Sequence, residues 1–258
     1  MSTKNAMRGR FTPTIVRGAP LNMPTAEEIE ADPEAALSRL PSWEDLPHDD
    51  GEPMETPWHR QQMNLLIETL EEHWSDRDDV FIGGNMFVYF SEKQEFNKDF
   101  RGPDFFLVNG GVEKDNGRLS WISWKENGRL PDLIIELVSK TTAKIDRGEK
   151  LELYMKQFAV QECFCYDPDG EKLQGWRRTI GGKYVEIEET ADGRMWCDQT
   201  QLWLTRWTGR HARREATWLR FATKDGSLLP TGTEKAQSAE AEVAKLKHEL
   251  AALKKKKK

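Results

Sequence analysis

Histidine and cysteine are scarce in this chain, and the few present are poorly spaced for binding a soft metal. Its 258 residues hold three cysteines, Cys163, Cys165 and Cys197, none in a CxxC pair. That odd, unpaired set argues against a disulfide framework and fits a reducing compartment. The five histidines (His48, His59, His73, His211 and His248) form no HxH or HxxxH pair. A zinc site is therefore not expected, and any bound metal should be held by oxygen. No apolar run approaches the roughly 18–20 residues of a membrane span, and the N-terminus lacks the charged-then-apolar pattern of a signal peptide. No membrane partner is expected, and the chain reads as soluble and cytoplasmic. Positive charge is not in excess either. The net charge of −6 argues against a molecule coated in positive potential, while leaving room for a local basic groove.

What is present divides into three stretches. Residues 1–50 carry scattered Pro, Asp and Glu with little sustained apolar pattern, which suggests a loosely ordered arm with at most a short helix over residues 26–40. Residues 51–230 read as one globular domain. From Pro57, the residues Met63, Leu66, Ile67, Leu70 and Trp74 recur at helical spacing, with Glu68, Glu71 and Glu72 between them. The aromatic and β-branched run from Val80 to Phe90 is broken by Gly83 and Gly84 and reads as a strand pair or a bulged strand. A strand is expected over Phe105–Val108, another over Leu133–Val138, a helix over Asp146–Phe158, and a strand over Val160–Tyr166 carrying Cys163 and Cys165 in the core. An antiparallel hairpin around Gly181-Gly182 follows. This order makes an α/β fold, a mixed β-sheet flanked by helices. The Trp-rich stretch from Trp196 to Phe221 suggests packed edge strands or a lid. Residues 231–258 form a third stretch, in which Ala236, Ala239, Val243, Leu246, Leu250 and Leu253 step by 3, 4, 3, 4, 3. That is the a/d seam of a C-terminal coiled-coil helix, with Glu242 and Lys247 at g and e, and it allows a parallel homodimer. A lysine tail, Lys254–Lys258, ends the chain.

The chemistry centres on PDLIIELVSKTT. Glu136 is a lone carboxylate inside a strand that otherwise reads as buried, and an ionised carboxylate there requires a cation, a metal or water. Asp132 lies on the same face, but four residues of strand separate the two by roughly 13 Å at ~3.3 Å per residue. Asp104 enters a different strand, and neighbouring strands lie about 4.8 Å apart. Asp104 and Glu136 are thus the preferred pair, an all-oxygen site suited to Mg²⁺ or Mn²⁺. Such an ion activates water and neutralises a phosphodiester. A lysine to steady the developing charge is wanted nearby. Lys140, Lys144 and Lys150 are the candidates, weighed against the plain reading that all three are surface lysines. Arg101, Lys144, Arg147, Arg177 and Arg178 are candidate phosphate contacts on DNA.

Taken together, GPDFFLV, PDLIIELVSKTT, DRGEKLELY and ECFCYDPDG in that order resemble the Uma2 family of restriction endonucleases, within the PD-(D/E)XK nuclease superfamily. The resemblance extends from about Phe81 to Pro230, taking in GWRR, GGKY and DGRMW. It implies a restriction-endonuclease-like αβββαβ core and metal-dependent hydrolysis of DNA, with Asp104 and Glu136 as metal ligands and catalytic carboxylates. It further implies the backbone carbonyl of Leu137 as a ligand. One position departs from the superfamily pattern. The lysine usual two residues after the acid is Val138 here, and family members place a lysine on the next helix, which makes Lys150 the natural substitute. Ser139 matches a family serine, and Lys140 stands where proline is usual. The functional expectation is a Mg²⁺-dependent DNA endonuclease. Its competitors are a nuclease fold that binds DNA without cutting it, motivated by Val138, and an assembly protein that oligomerises through the C-terminal heptads.

Overall fold

A computed structural model of the chain describes residues 24–40, 46, 56–91, 102–113, 117–138, 148, 150–169 and 172–256. Ser139, Lys140, Lys144, Arg101, Arg147 and the end of the lysine tail lie outside them. The chain divides into two compact units, Met1–Pro53 and Met54–Lys258. In the first, the helix expected over residues 26–40 is two short helices, α1 (Ala26–Ala31) and α2 (Pro33–Ser38). Pro33 disfavours helical dihedrals at Asp32 and so breaks the run. Thr25 and Glu28 cap α1 reciprocally, and Asp32 accepts from the amide of Ala35 at the start of α2.

The second unit opens with α3 (Pro57–His73). Its start is fixed by Pro57 in the first turn and by Thr56, whose hydroxyl accepts from the His59 amide at 3.2 Å. The apolar spacing becomes a buried face, with Met63, Leu66 and Leu70 turned inward. Full burial of a leucine such as Leu66 contributes about 1.5–3 kcal/mol.

That face rests on a six-stranded sheet in the order β1 (Phe81–Gly83), β3 (Phe105–Val108), β5 (Leu133–Leu137), β6 (Glu162–Asp167), β7 (Lys172–Arg178), β8 (Tyr184–Glu186). Only β5 and β6 pair in parallel; the other neighbours are antiparallel. The crossover between those two strands carries α4 (Leu151–Leu153), which runs on as a π-helical turn (Tyr154–Phe158) and ends at Ala159 in the left-handed region. Side chains alternate across the sheet as a strand's period of two requires. Phe105, Leu107, Leu133, Ile135, Leu137 and Phe164 join the cluster under α3, while Phe106, Val108, Ile134, Val138, Cys163 and Cys165 join Tyr154 and Phe158 on the other side. Both cysteines are core residues of β6, as expected. The succession α3, β1, β3, β5, α4, β6 is the αβββαβ core, extended by β7 and β8.

Where a single bulged strand or a pair was expected near Val80, the chain forms β1 and a separate β2 (Val88–Tyr89), which pairs in parallel with β4 (Trp121–Ile122). The Trp-rich stretch is a sheet of its own. β9 (Arg194–Cys197), β10 (Leu202–His211) and β11 (Arg214–Ala222) are antiparallel neighbours. It is tied to α3 by Gln62, whose side-chain amide gives a hydrogen bond to the Leu219 carbonyl and takes one from the Leu219 amide, each at 2.8 Å. Phe221 packs on Phe105, with ring centroids 6.0 Å apart. The last element is α5 (Gly232–Lys256). Among the described residues no helix is long and apolar enough to cross a membrane.

Candidate active site

The site lies where β3 begins and β5 ends. These strands pair with Phe105 opposite Ile135, and Asp104, just before β3, is tied to the end of β5 through the amide of Leu137, the residue after Glu136. The Asp104 segment is held in place from outside the sheet. Gly84 packs so closely over it that a Cβ there would meet the Asp104 carbonyl at 2.7 Å, and the Asn85 amide donates to the Pro103 carbonyl at 2.9 Å. A larger residue at position 84 would push the aspartate away from β5.

Both carboxylates are withdrawn from water, Glu136 with 1% of its surface exposed and Asp104 with 9%. Their oxygens are met by protein donors. Asp104 Oδ2 accepts from the backbone amide of Leu137 at 2.7 Å, and Oδ1 lies 2.7 Å from His59 Nε2. A carboxylate offers only acceptors, so with Asp104 ionised Nε2 carries the proton in that pair. Glu136 Oε1 accepts from the Tyr154 hydroxyl at 2.7 Å, and Oε2 accepts from Lys150 Nζ at 3.2 Å. Burial raises the Tyr154 phenol well above its ordinary range, and the charges of Glu136 and Asp104 push the same way. Tyr154 therefore stays protonated and remains a donor at every working pH. Lys150 is the most open member of the group, its side chain about a quarter exposed at 26%, against 13% for Asp104, 9% for His59 and 1% for Glu136.

Of the three residues singled out for catalysis, Lys150 reaches Glu136 from the start of α4, and Asp104 is bound to the amide of Leu137, the residue after Glu136. Leu137, the third ligand implied by the resemblance, ends β5 fully buried, with its amide committed to Asp104. Val138, where the superfamily pattern has lysine, is buried in the apolar cluster beside α4. Asp132 is at the far end of β5, where its carboxylate accepts from the Asn109 amide at 2.9 Å and from Arg129 at 3.2 Å; it takes no part. Arg177, considered as a phosphate contact, is partly exposed and pairs within the chain, 2.8 Å from the fully buried Glu162 and 2.9 Å from Asp198.

Two residues of this group escaped the sequence reading. His59 was one of five scattered histidines, yet it stands in phase with Met63, Leu66 and Leu70 on α3, and a polar residue on an apolar stripe is a usable signal. Tyr154 read as part of the apolar face of its helix, which is where its ring sits; only its hydroxyl reaches the site.

The donor set is all oxygen. Among the described residues no group of three or more His, Cys, Asp and Glu side chains is arranged to hold a metal ion. The Asp104 and Glu136 carboxylates are ligands of the chemical type that Mg²⁺ takes.

The model of the Uma2 family, described as "Putative restriction endonuclease", matches residues 30–206. A crystal structure of "a putative nuclease belonging to DUF820 from Anabaena variabilis ATCC 29413" is similar at 13% identity, with a TM-score of 0.41, covering 64% of this chain and 89% of that one. No curated protein matches.

Proposed function

The chain belongs to the Uma2 family, and from that membership we propose that it is a divalent-metal-dependent endonuclease that hydrolyses DNA phosphodiester bonds at Asp104, Glu136 and Lys150. The observation that supports this reading is a buried Glu136 with a lysine ammonium 3.2 Å away, next to Leu137, whose amide bonds the buried Asp104 carboxylate at 2.7 Å. Asp104, Glu136 and the Leu137 carbonyl would hold Mg²⁺ or Mn²⁺, which when bound supplies an activated water and offsets charge on the phosphate. Lys150 is the most exposed of these side chains, at 26%. Its ammonium is placed to donate to the attacking water or to the oxygens on which negative charge grows. Tyr154 and His59 are positioning residues. The first fixes one oxygen of Glu136 and the second one oxygen of Asp104, so that the remaining lone pairs point in defined directions. The Leu137 amide has the same effect on Asp104 from within the sheet.

The test is cleavage of supercoiled plasmid and linear duplex by the purified protein, with and without Mg²⁺ or Mn²⁺. The expected result is metal-dependent nicking that Glu136→Ala and Asp104→Ala abolish and that Lys150→Ala slows by about 10²-fold or more, the scale of losing one electrostatic donor. Wild-type protein that retains DNA without cutting it under any of these metals, with retention indifferent to Asp104→Ala, would instead establish the binding-only alternative. Cleavage that persists unchanged in Glu136→Ala would move the chemistry elsewhere.

A further inference from the structure

We propose that α5 is a parallel dimerisation helix whose partner is a second copy of this chain. The helix leaves the body from a rigid foot. Thr231 and Glu234 form a reciprocal capping box, with the Thr231 amide 2.7 Å from Glu234 Oε2 and the Glu234 amide 3.2 Å from the Thr231 hydroxyl. Glu234 is in turn gripped by the buried guanidinium of Arg220 at 2.7 and 2.9 Å, and Lys235 pairs with Glu72 of α3. Beyond Lys235 no hydrogen bond or ion pair joins α5 to the body among the described residues. The helix continues for about another twenty residues with its apolar side chains in water: Val243, Leu246, Leu250 and Leu253 are 49%, 53%, 54% and 59% exposed. In proteins most helical stability comes from packing of an apolar face, and among the described residues this face has nothing of its own chain to pack on.

The sequence along that face states what covers it. Val243 and Leu250 fall at heptad position a, and Leu246 and Leu253 at d; in the first of these heptads a β-branched residue at a with leucine at d favours two strands. The flanks differ in sign. Glu242 and Glu249 occupy g, while Lys247 and Lys254 occupy e. In a parallel pair each g residue faces the e residue five positions later on its partner, which sets Glu242 against Lys247 and Glu249 against Lys254 on both sides of the seam. Lys235 and Glu240 continue the alternation, although Lys235 already has Glu72 as a partner in its own chain. An antiparallel pairing of the same apolar layers would bring Glu242 against Glu249. An anionic lipid surface would favour lysine on both flanks, whereas here one flank is acidic. The self-complementary arrangement is the one that a second copy satisfies. With only two heptads bearing leucine and valine, association is reversible and depends on protein concentration. This inference does not depend on the nuclease reading, because its measurements report mass and cross-linking rather than cleavage.

Sedimentation of the full chain across a dilution series tests it. The mass should rise from 29.8 kDa toward twofold with concentration. Leu246→Glu/Leu250→Glu should remain monomeric throughout, with the thermal unfolding of the body unchanged. Glu242→Lys/Glu249→Lys and Lys247→Glu/Lys254→Glu should each be monomeric alone and should dimerise when mixed. Orientation is read from Ala239→Cys, which in a parallel pair meets its own counterpart at a d layer and cross-links under oxidation; the three native cysteines are buried and do not compete. A chain that stays monomeric throughout, a dimer indifferent to Leu246→Glu/Leu250→Glu, or a dimer in which Ala239→Cys fails to cross-link would overturn the proposal.

Discussion

Replacing Tyr154 by phenylalanine separates the electrostatics of the site from its packing. The ring is fully buried against Phe158, with centroids 5.4 Å apart, and Phe keeps that contact without opening a cavity. Only the hydroxyl is lost, and with it a 2.7 Å hydrogen bond to Glu136, a carboxylate with 1% of its surface exposed. Water cannot readily replace the donor. A hydrogen bond to a charged group is worth about 1.5–3 kcal/mol, and in a domain of about 150–250 residues each kcal/mol moves the melting midpoint by about 2–4 °C. Tyr154→Phe should therefore cost about 1.5–3 kcal/mol and lower the midpoint by about 3–12 °C. The assay is urea unfolding in EDTA with matched m-values, run in the wild-type and Glu136→Gln backgrounds. Against the neutral amide the same substitution should cost only about 0.5–1.5 kcal/mol, the range for an uncharged pair. A cost below about 0.5 kcal/mol in the wild type, or an equal cost in both backgrounds, would refute the claim that Tyr154 acts on an ionised Glu136.

Two other predictions concern the frame of the site. Arg177→Ala strands the fully buried Glu162, leaving it with the Cys197 thiol at 3.2 Å and the Gln199 amide at 2.8 Å. Its expected cost by chemical denaturation is about 3–5 kcal/mol, and an unchanged stability with weakened DNA retention would return Arg177 to the role of phosphate contact. At the foot of α5, the guanidinium of Arg220 beside Glu234 holds its carboxyl down at about 2, from an ordinary 4.5. The group favours the folded state by being ionised, so the stabilisation is complete above about pH 4.5 and is lost as pH falls toward 2. Limited proteolysis at the body–α5 junction should accelerate over that window in the wild type. In Glu234→Gln the junction should be equally susceptible at pH 7 and pH 3, and an acid-induced opening of the same size in the variant would exclude Glu234 as its cause.

Much of the site was legible because strands obey a simple geometry. The rise per residue set Asp132 apart from Glu136, and its carboxylate lies before β5, where it bonds the Asn109 amide and Arg129. The same geometry favoured Asp104 as the partner of Glu136, and Asp104 is bound to the amide of Leu137, the residue after Glu136. Lys150 could be preferred only through the family resemblance, since nothing in spacing fixes how a helix packs back on its strand. His59 and Tyr154 were hidden for a different reason. Each sits on an apolar helical face where its carbon framework belongs, and the polar tip finds its partner only across elements far apart in sequence, over 45 residues for His59 and 18 for Tyr154. The second sheet was equally opaque. Its strands carry Trp196, Trp203 and Trp207 at partly exposed positions, so alternation is blurred and periodicity alone could not tell a separate sheet from an edge or a lid.

The central claim is that Asp104 and Glu136 form one divalent-cation site, and anomalous diffraction from crystals soaked in Mn²⁺ tests it directly. The account predicts a peak shared by the two carboxylates at about 2.1 Å from their oxygens, within reach of the Leu137 carbonyl, and absent from Glu136→Gln crystals. A Mn²⁺ ion bound elsewhere with this position vacant, or one that stays in place in Glu136→Gln, would contradict it.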